Sequence, residues 1–386
     1  MEKIFDFAII GGGASGLFAL RGLRDKKVCI LEGNKKLGLK LLATGGGKCN
    51  FTNLYLSPEN FVCSNPHFLK SFLAKFGTYD FLDLIETHNI SYEERDNGKL
   101  FTLSGAKSIL ESLLEDGKSE NHIFKTECLV QNVTKQNDIF TIETNTESVY
   151  AKKVVVASGG ISYPKMGATN IASKIAKNFG LKTFPLIPGL AGIRYPENFD
   201  FSSLSGISIT AKAQIEKRQF TDQLLFTHRG FSGPLALNLS LFVNGKTQII
   251  LNFLQEVDVE NLIQKEKTSK KSLVNILSEF LPKSLVKILL KEKDYNLAQI
   301  KKSEIEEVAK TFNHLVIEVE KLDGFDKAEV TRGGISVDEI FPKTMEARKC
   351  SGLYFIGEAL DVTGMLGGYN LHWAWASAKM FIDGLE

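Results

Sequence analysis

Gly11, Gly13 and Gly16 stand in a G-x-G-x-x-G spacing, and Glu32 follows about twenty residues after the first of them. Glycine at these places lets the chain turn tightly, lets backbone N–H groups approach a pyrophosphate, and lets a helix pack close to a strand. A helix opening at Ala14 and Ser15 offers unpaired N–H groups and the positive end of its macrodipole to that anion. Glu32, followed by Gly33, can accept hydrogen bonds from an adenosine ribose diol and would repel a 2′-phosphate. The chemistry is dinucleotide binding.

The surrounding text supplies the elements this chemistry needs. A short apolar run over 5–10 precedes the glycines, helical periodicity follows over 17–23, and a second apolar run covers 28–31. The pattern predicts strand, turn, helix and strand, and that context rejects the alternative of three glycines that merely serve turns.

Three further segments favour FAD over NAD. The first is Thr44-Gly45-Gly46-Gly47-Lys48-Cys49-Asn50, whose consecutive glycines expose amides to a bulky cofactor, although a flexible surface loop would read the same. The second is the buried-strand text of 154–157 running into Ser158 and Gly159, suited to a chain that crosses an extended dinucleotide. In the third, a strand over 353–356 ends at Gly357 and Glu358, and Gly364, Gly367 and Gly368 precede a helix expected to start near Asn370. Its N-terminus could face the flavin N1 and C2 carbonyl and stabilise charge gained on reduction. Lys40, Val130 and Tyr369 complete the expected cofactor shell.

The chain has 386 residues, 43% hydrophobic and 24% charged, enough for two or three folded domains. A net charge of +2 is too mild to imply polyanion binding by itself. Five scattered cysteines without a C-x-x-C pair fit a reducing cytosol, and neither a leader nor a membrane span is expected at or after the start, so the expected location is cytoplasmic. Helical stretches are expected over 66–88 and 104–115, and strands over 124–133 and 140–143. The expected organisation is an α/β, Rossmann-like FAD domain over 1–187 and 342–386, an inserted β-rich domain over 188–255 and 315–341, and a helical insert over 256–314.

With these motifs in place the chain resembles the HI0933-like family of bacterial FAD-binding flavoproteins, some labelled aminoacetone oxidases. The carrying residues are Gly11 to Gly16, the 44–53 loop, Phe226-Thr227-His228 with Gly230 and Ser232-Gly233-Pro234, Val330-Thr331-Arg332-Gly333-Gly334, Pro342-Lys343-Thr344-Met345-Glu346, and the 357–370 segment. The resemblance implies a two-dinucleotide-type FAD domain built from both chain ends, an inserted β-barrel-like domain and a small helical domain within it. Thr44 and Lys48 depart from the family's usual Ser and Arg, and His372 stands where Gln is usual. Lys48 keeps the charge but loses a planar fork.

Flavin carries its own redox chemistry, so the protein must supply binding, orientation and electrostatics. Cys49 is open to two readings, a thiol at the flavin or a small packing residue. His228, with Arg229, is either presented at a domain cleft or a structural histidine, and Arg332 either neutralises a substrate or cofactor charge or makes an interdomain ion pair. Tyr369 and His372 flank the expected flavin-facing helix start, where either could donate a proton or stack on the ring. Trp373 and Trp375 read as core.

No redox cysteine pair is present for disulfide reduction, and NAD(P)H, if it is the reductant, must bind without a second G-x-G-x-x-G. The leading expectation is a small-molecule FAD oxidoreductase using NAD(P)H or oxygen. The resemblance also implies an RNA-modifying alternative that reduces uridine in ribosomal RNA, with Lys265, Lys267, Lys270, Lys271, Lys283, Lys287, Lys291 and Lys293 against RNA phosphates or merely a solvated face. A non-catalytic flavin-binding protein is the third reading.

Overall fold

The computed structural model describes residues 3–197, 199–293 and 295–385. The chain divides into two compact units, Met1–Gly189 with Phe325–Glu386, and Leu190–Gly324.

The first unit is built on a seven-stranded sheet. Four parallel neighbours run in the order His122–Lys125, Val28–Leu31, Ile4–Ile10, Ser148–Val156. The last of these divides its far edge. Its first half pairs antiparallel with Ile139–Thr144, which in turn pairs with Val130–Gln136, and its second half pairs parallel with Leu353–Phe355. Ile9, Ile30, Val154, Val155, Val156 and Phe355 are wholly buried, as a parallel sheet covered on both faces requires.

The closing helix Tyr369–Asp383 packs on the first helix, Ala14–Ala19, which continues as a tighter turn over Leu20–Gly22. Trp375 stacks on Phe81 at 4.8 Å between ring centroids, and Trp373 lies 4.9 Å from Phe72. Both indole N–H groups are satisfied, Trp373 donating to Gly357 O (2.9 Å) and Trp375 to Phe51 O (3.0 Å). The two tryptophans are core, as their apolar helical setting predicts.

The helical text of 66–88 forms two helices, Pro66–Leu73 and Thr78–Thr87, separated near Gly77, and the strand text of 124–133 breaks into His122–Lys125 and Val130–Gln136. A small antiparallel sheet runs Asn50–Asn53, Lys99–Thr102, Tyr92–Arg95.

The second unit is a six-stranded antiparallel sheet in the order Ile193–Arg194, Gly230–Ser232, Arg218–Phe226, Ser208–Ile215, Thr247–Asn252, Leu315–Val319. A bridge between Ile193 and Leu322, with Arg194 N donating to Lys321 O at 2.9 Å, brings the two ends together and nearly closes a barrel. The helix Gly233–Ser240 sends Ala236 and Leu239 into the apolar interior beside Leu224, Ile249 and Ile317.

Four helices, Val259–Lys265, Leu273–Leu277, Lys283–Leu289 and Lys302–Asn313, lie between the last two strands. Asn313 fastens them, its Nδ2 donating to Leu254 O and Val257 O, both at 2.9 Å. The helices therefore belong to the second unit rather than to a domain of their own over 256–314. The return to the first unit also comes earlier than the expected 342, because Val330–Ile335 pairs with Thr183–Gly189.

Candidate functional site

The glycine fingerprint folds as a close-packed turn with one open face. Gly11 has φ +108°, and a Cβ there would lie 2.5 Å from Ala157 O; a Cβ on Gly16 would lie 2.1 Å from Gly11 O. These two glycines allow backbone contact. Gly13 differs, since a Cβ there meets no atom within 4 Å. The space that a bound group would fill lies over Gly13, at the start of the first helix.

Ser158 follows the central strand, and its Oγ is buried without a hydrogen-bond partner among the described residues. A buried hydroxyl left this way costs free energy unless a ligand or water satisfies it. An orphaned Ser158 hydroxyl, open space over Gly13 and open space beside Gly46 fit an extended dinucleotide such as FAD. Glu32 stands at the other edge, Oε2 accepting from Gly12 N at 2.9 Å and Oε1 from Asn34 N at 2.9 Å. Asn34 Nδ2 ties the same carboxylate to Met166 O (2.9 Å), so the residues that would meet an adenosine ribose are held from both sides. Gly33 packs against Leu129, and Val130 is buried in the sheet.

A second group of polar residues converges on Glu358. Its Oε2 accepts from Lys40 Nζ at 2.6 Å and its Oε1 from Thr331 N at 2.7 Å. Thr331 Oγ1 accepts in turn from Ile161 N (2.9 Å) and Ser162 N (3.0 Å). The segments around 158–163, 330–332 and 357–359 are thereby joined, with Gly159 close enough that a Cβ would lie 3.7 Å from Glu358 Oε2. Arg332 is buried on the next residue, and burial lowers its guanidinium pKa to about 10.

Sequence reasoning missed Tyr163 and Glu329 here. Tyr163 has φ +60° and its ring centroid lies 5.9 Å from Lys40 Nζ; burial raises its phenol and also the Glu329 carboxyl. Nothing in the text around Tyr163 marks it except the following Pro164.

Two glycine loops meet the small sheet. In the first, Thr44 Oγ1 donates to Leu41 O at 2.6 Å and Cys49 N to Thr44 O at 3.0 Å, while Gly45 packs on Phe101. In the second, Asn370 clamps Gly364 through both its amide atoms at 2.8 Å, and Asn53 Nδ2 donates to Gly367 O at 2.9 Å. Asn50, oriented with its amide oxygen toward Gly368, accepts from that N–H at 3.0 Å. Asn50 and Asn53 come from one strand, so one strand braces the loop that opens the closing helix.

Three residues expected to do chemistry have settings that oppose it. Cys49 is fully buried and burial pushes its thiol up to about 12, so it is a neutral packing group and not a thiolate. His372 is fully buried; Thr52 Oγ1 lies 2.8 Å from Nδ1, and Nε2 donates to Phe76 O at 3.1 Å. Burial lowers its pKa to about 4, so a neutral imidazole buttresses the helix where a proton donor beside the ring was expected. His372 is inward because the closing helix is buried on every side over 372–378. Tyr369 is also buried, edge-on to Phe61 at 5.8 Å, with Oη 3.4 Å from Tyr55 O, and burial raises its phenol.

His228 is exposed in the turn between two strands of the second unit, beside exposed Arg229. The eight lysines from 265 to 293 are all exposed; Lys271 pairs with Glu279 at 2.7 Å and Lys293 with Glu307 at 4.0 Å. Among the described residues no cluster of three metal-ligating side chains occurs, and no helix is long and apolar enough to cross a membrane.

The family model described as the HI0933-like protein Rossmann domain matches residues 5–381. The chain is 39% identical over 388 residues to a ribosomal RNA dihydrouridine synthase of Escherichia coli, covering 98% of this chain and 97% of that protein. It is likewise 39% identical to a ribosomal RNA dihydrouridine synthase of Haemophilus influenzae, covering 98% of each. A 3-dehydro-bile acid delta(4,6)-reductase of Clostridium scindens is 28% identical over 96% of this chain and 97% of its own. Among solved structures, a 3-ketosteroid-delta4-(5alpha)-dehydrogenase from Rhodococcus jostii shares the fold with a TM-score of 0.51 at 12% identity, covering 99% of this chain and 98% of that one.

Proposed function

Starting from the fact that the chain belongs to the HI0933-like family, and so is an FAD-dependent oxidoreductase, we propose that it reduces uridine to dihydrouridine in ribosomal RNA. The observation that carries the proposal is 39% identity over 98% of the chain to two ribosomal RNA dihydrouridine synthases. The small-molecule oxidoreductase, the leading expectation from the sequence, has less support than this alternative. Its best support is the bile acid reductase at 28% identity.

The two readings share one chemistry. In uracil the C5–C6 double bond is conjugated to the C4 carbonyl, so a hydride adds at C6, the end remote from that carbonyl, and a proton completes C5. Bound FAD supplies the hydride transfer and the electronics for it. The chain's own residues bind and orient. Gly11 to Gly16 and Ser158 would hold the pyrophosphate region, Glu32 the adenosine ribose, and Lys40 and Glu358 the polar middle of the cofactor. The Gly367–Gly368 turn and the positive end of the closing helix would lie toward the flavin ring, where negative charge gathers on reduction.

A nicotinamide is the proposed electron donor, taken up without a second glycine fingerprint. The exposed lysines from 265 to 293 are proposed to meet RNA phosphates, and a ribosomal substrate puts the enzyme in the cytoplasm.

The test is nucleoside mass spectrometry of ribosomal RNA from a deletion strain, with and without the gene restored. Dihydrouridine lost on deletion and regained on complementation is the expected result. Unchanged dihydrouridine would overturn the proposal and return the small-molecule oxidoreductase to first place.

A further inference from the structure

We infer that Tyr55 and Lys99 form the seat on which the RNA strand is held beside the flavin-side glycine loop, Tyr55 stacking on a base and Lys99 meeting a backbone phosphate. This inference rests on the RNA reading above.

Tyr55 is 64% exposed, yet its ring is held in place. Its Cδ2–Cε2 side lies against the backbone of Gly98, where a Cβ would come 2.7 Å from the ring, so one side of the ring is braced by a turn that has no side chain. Tyr55 N donates to Asn53 Oδ1 at 2.8 Å and Leu54 N to Gly98 O at 2.8 Å. An exposed aromatic braced along one side presents a ready stacking surface and loses little entropy when a base lands on it.

The same fixtures reach the cofactor loop. Asn53, almost wholly buried, donates through Nδ2 both to Asn97 O (3.1 Å) and to Gly367 O (2.9 Å). Lys99 extends past this junction, its Cε 3.5 Å from where a Gly367 Cβ would stand. Lys99 makes no ion pair among the described residues, and neither does exposed Lys48 on the neighbouring glycine loop. Arg95, which faces Lys99 across the strand pair, is by contrast neutralised by Glu93. Exposed Asp96 on the same turn disfavours a phosphate at that end, so the backbone belongs on the Lys99 side. An aromatic face beside a free cation is how single-stranded RNA is gripped without regard to sequence.

The experiment measures binding of a single-stranded oligouridylate of about twelve nucleotides to FAD-loaded protein by fluorescence anisotropy over a salt series. Tyr55→Ala should weaken binding about 5- to 100-fold, and Tyr55→Phe, which keeps the ring, should bind as wild type. Lys99→Ala should lower the slope of log affinity against log salt by about 0.7, one phosphate contact. Flavin absorbance and melting temperature establish that each variant is folded. Wild-type affinity in Tyr55→Ala, while wild-type protein still makes dihydrouridine in ribosomal RNA, overturns this inference alone. Wild-type protein that neither binds the oligonucleotide nor forms dihydrouridine overturns the RNA reading and this inference with it.

Discussion

Lys40 Nζ lies 2.6 Å from Glu358 Oε2, an ion pair between residues 318 positions apart that joins the N-terminal half of the cradle to the segment leading into the closing helix. The same carboxylate holds Thr331 N through its other oxygen, so the pair positions three segments at once.

Lys40→Met should cost the apoprotein little, about 1 kcal/mol or less, because the pair is partly exposed and screened. FAD affinity should fall about tenfold or more, since a carboxylate freed of its cation then faces an anionic cofactor. Glu358→Ala should be worse on both counts, because Thr331 N–H loses its acceptor. Melting curves of apoprotein and holoprotein, with a fluorescence titration of FAD, separate the two effects.

Gly13 and Gly16 should respond differently to the same methyl group. Gly16→Ala drives a Cβ into Gly11 O and should lower both stability, by about 2 kcal/mol or more, and FAD content. Gly13→Ala places a Cβ that meets no protein atom within 4 Å among the described residues and should fold with an unchanged apoprotein melting temperature while failing to retain FAD. A Gly13→Ala variant that purifies with full flavin would contradict the placement of the pyrophosphate.

His372 carries a pH signature. Its folded pKa near 4 lies below the ordinary 6.5, so the unfolded chain takes up the proton first as pH falls. The stability from its neutral burial is complete above about pH 6.5 and declines at roughly 1.4 kcal/mol per pH unit down to about pH 4. His372→Gln should remove that component, leaving a shallower decline in chemical-denaturation stability across the window. Equal slopes in the two proteins would mean the imidazole is not buried as described.

Cys49 should resist alkylation. A thiol pushed up to about 12 inside the core presents almost no thiolate at pH 8, so iodoacetamide should reach Cys49 only after unfolding. Cys49→Ala should retain flavin reduction by its donor. Loss of that reduction in a folded, FAD-loaded variant would restore the thiol to the chemistry.

The strand-turn-helix-strand unit that opens the chain was legible because its signals are local. Gly11, Gly13, Gly16 and Glu32 sit within that one unit, and Gly16 answers to Gly11 O five residues back, whereas the close approach of Gly11 to Ala157 O has no signal in the local text. The start of the closing helix was placed to within a residue for the same reason, since its Gly367–Gly368 entry and its apolar run lie in continuous text. Roles that depend on which way a helical side chain turns were not legible. His372 and Tyr369 are in the right helix, but the core formed by Phe61, Phe72, Phe76 and Phe81 decides that both point inward. The return to the first unit at Phe325 was hidden because Val330–Ile335 finds its partner Thr183–Gly189 some 140 residues back, a pairing with no local signal. Tyr163 and Glu329 escaped because they lie far apart in the sequence and contacts such as Tyr163 N to Phe325 O, which bring their segments together, have no local signal.

The split of the first unit between residues up to 189 and residues from 325 also has a consequence for biosynthesis. A chain emerging from the ribosome N-terminus first can complete its second unit while the first still lacks the strand Leu353–Phe355, the carboxylate of Glu358 and the closing helix. The open edge of Ser148–Val156 and the apolar surface meant for Trp373 and Trp375 remain uncovered until the last segment arrives. With Glu358 and the closing helix in the proposed cofactor site, FAD capture is expected only once the last segment has arrived, and nascent chains stalled short of residue 353 should be substrates for chaperones and proteases rather than for FAD.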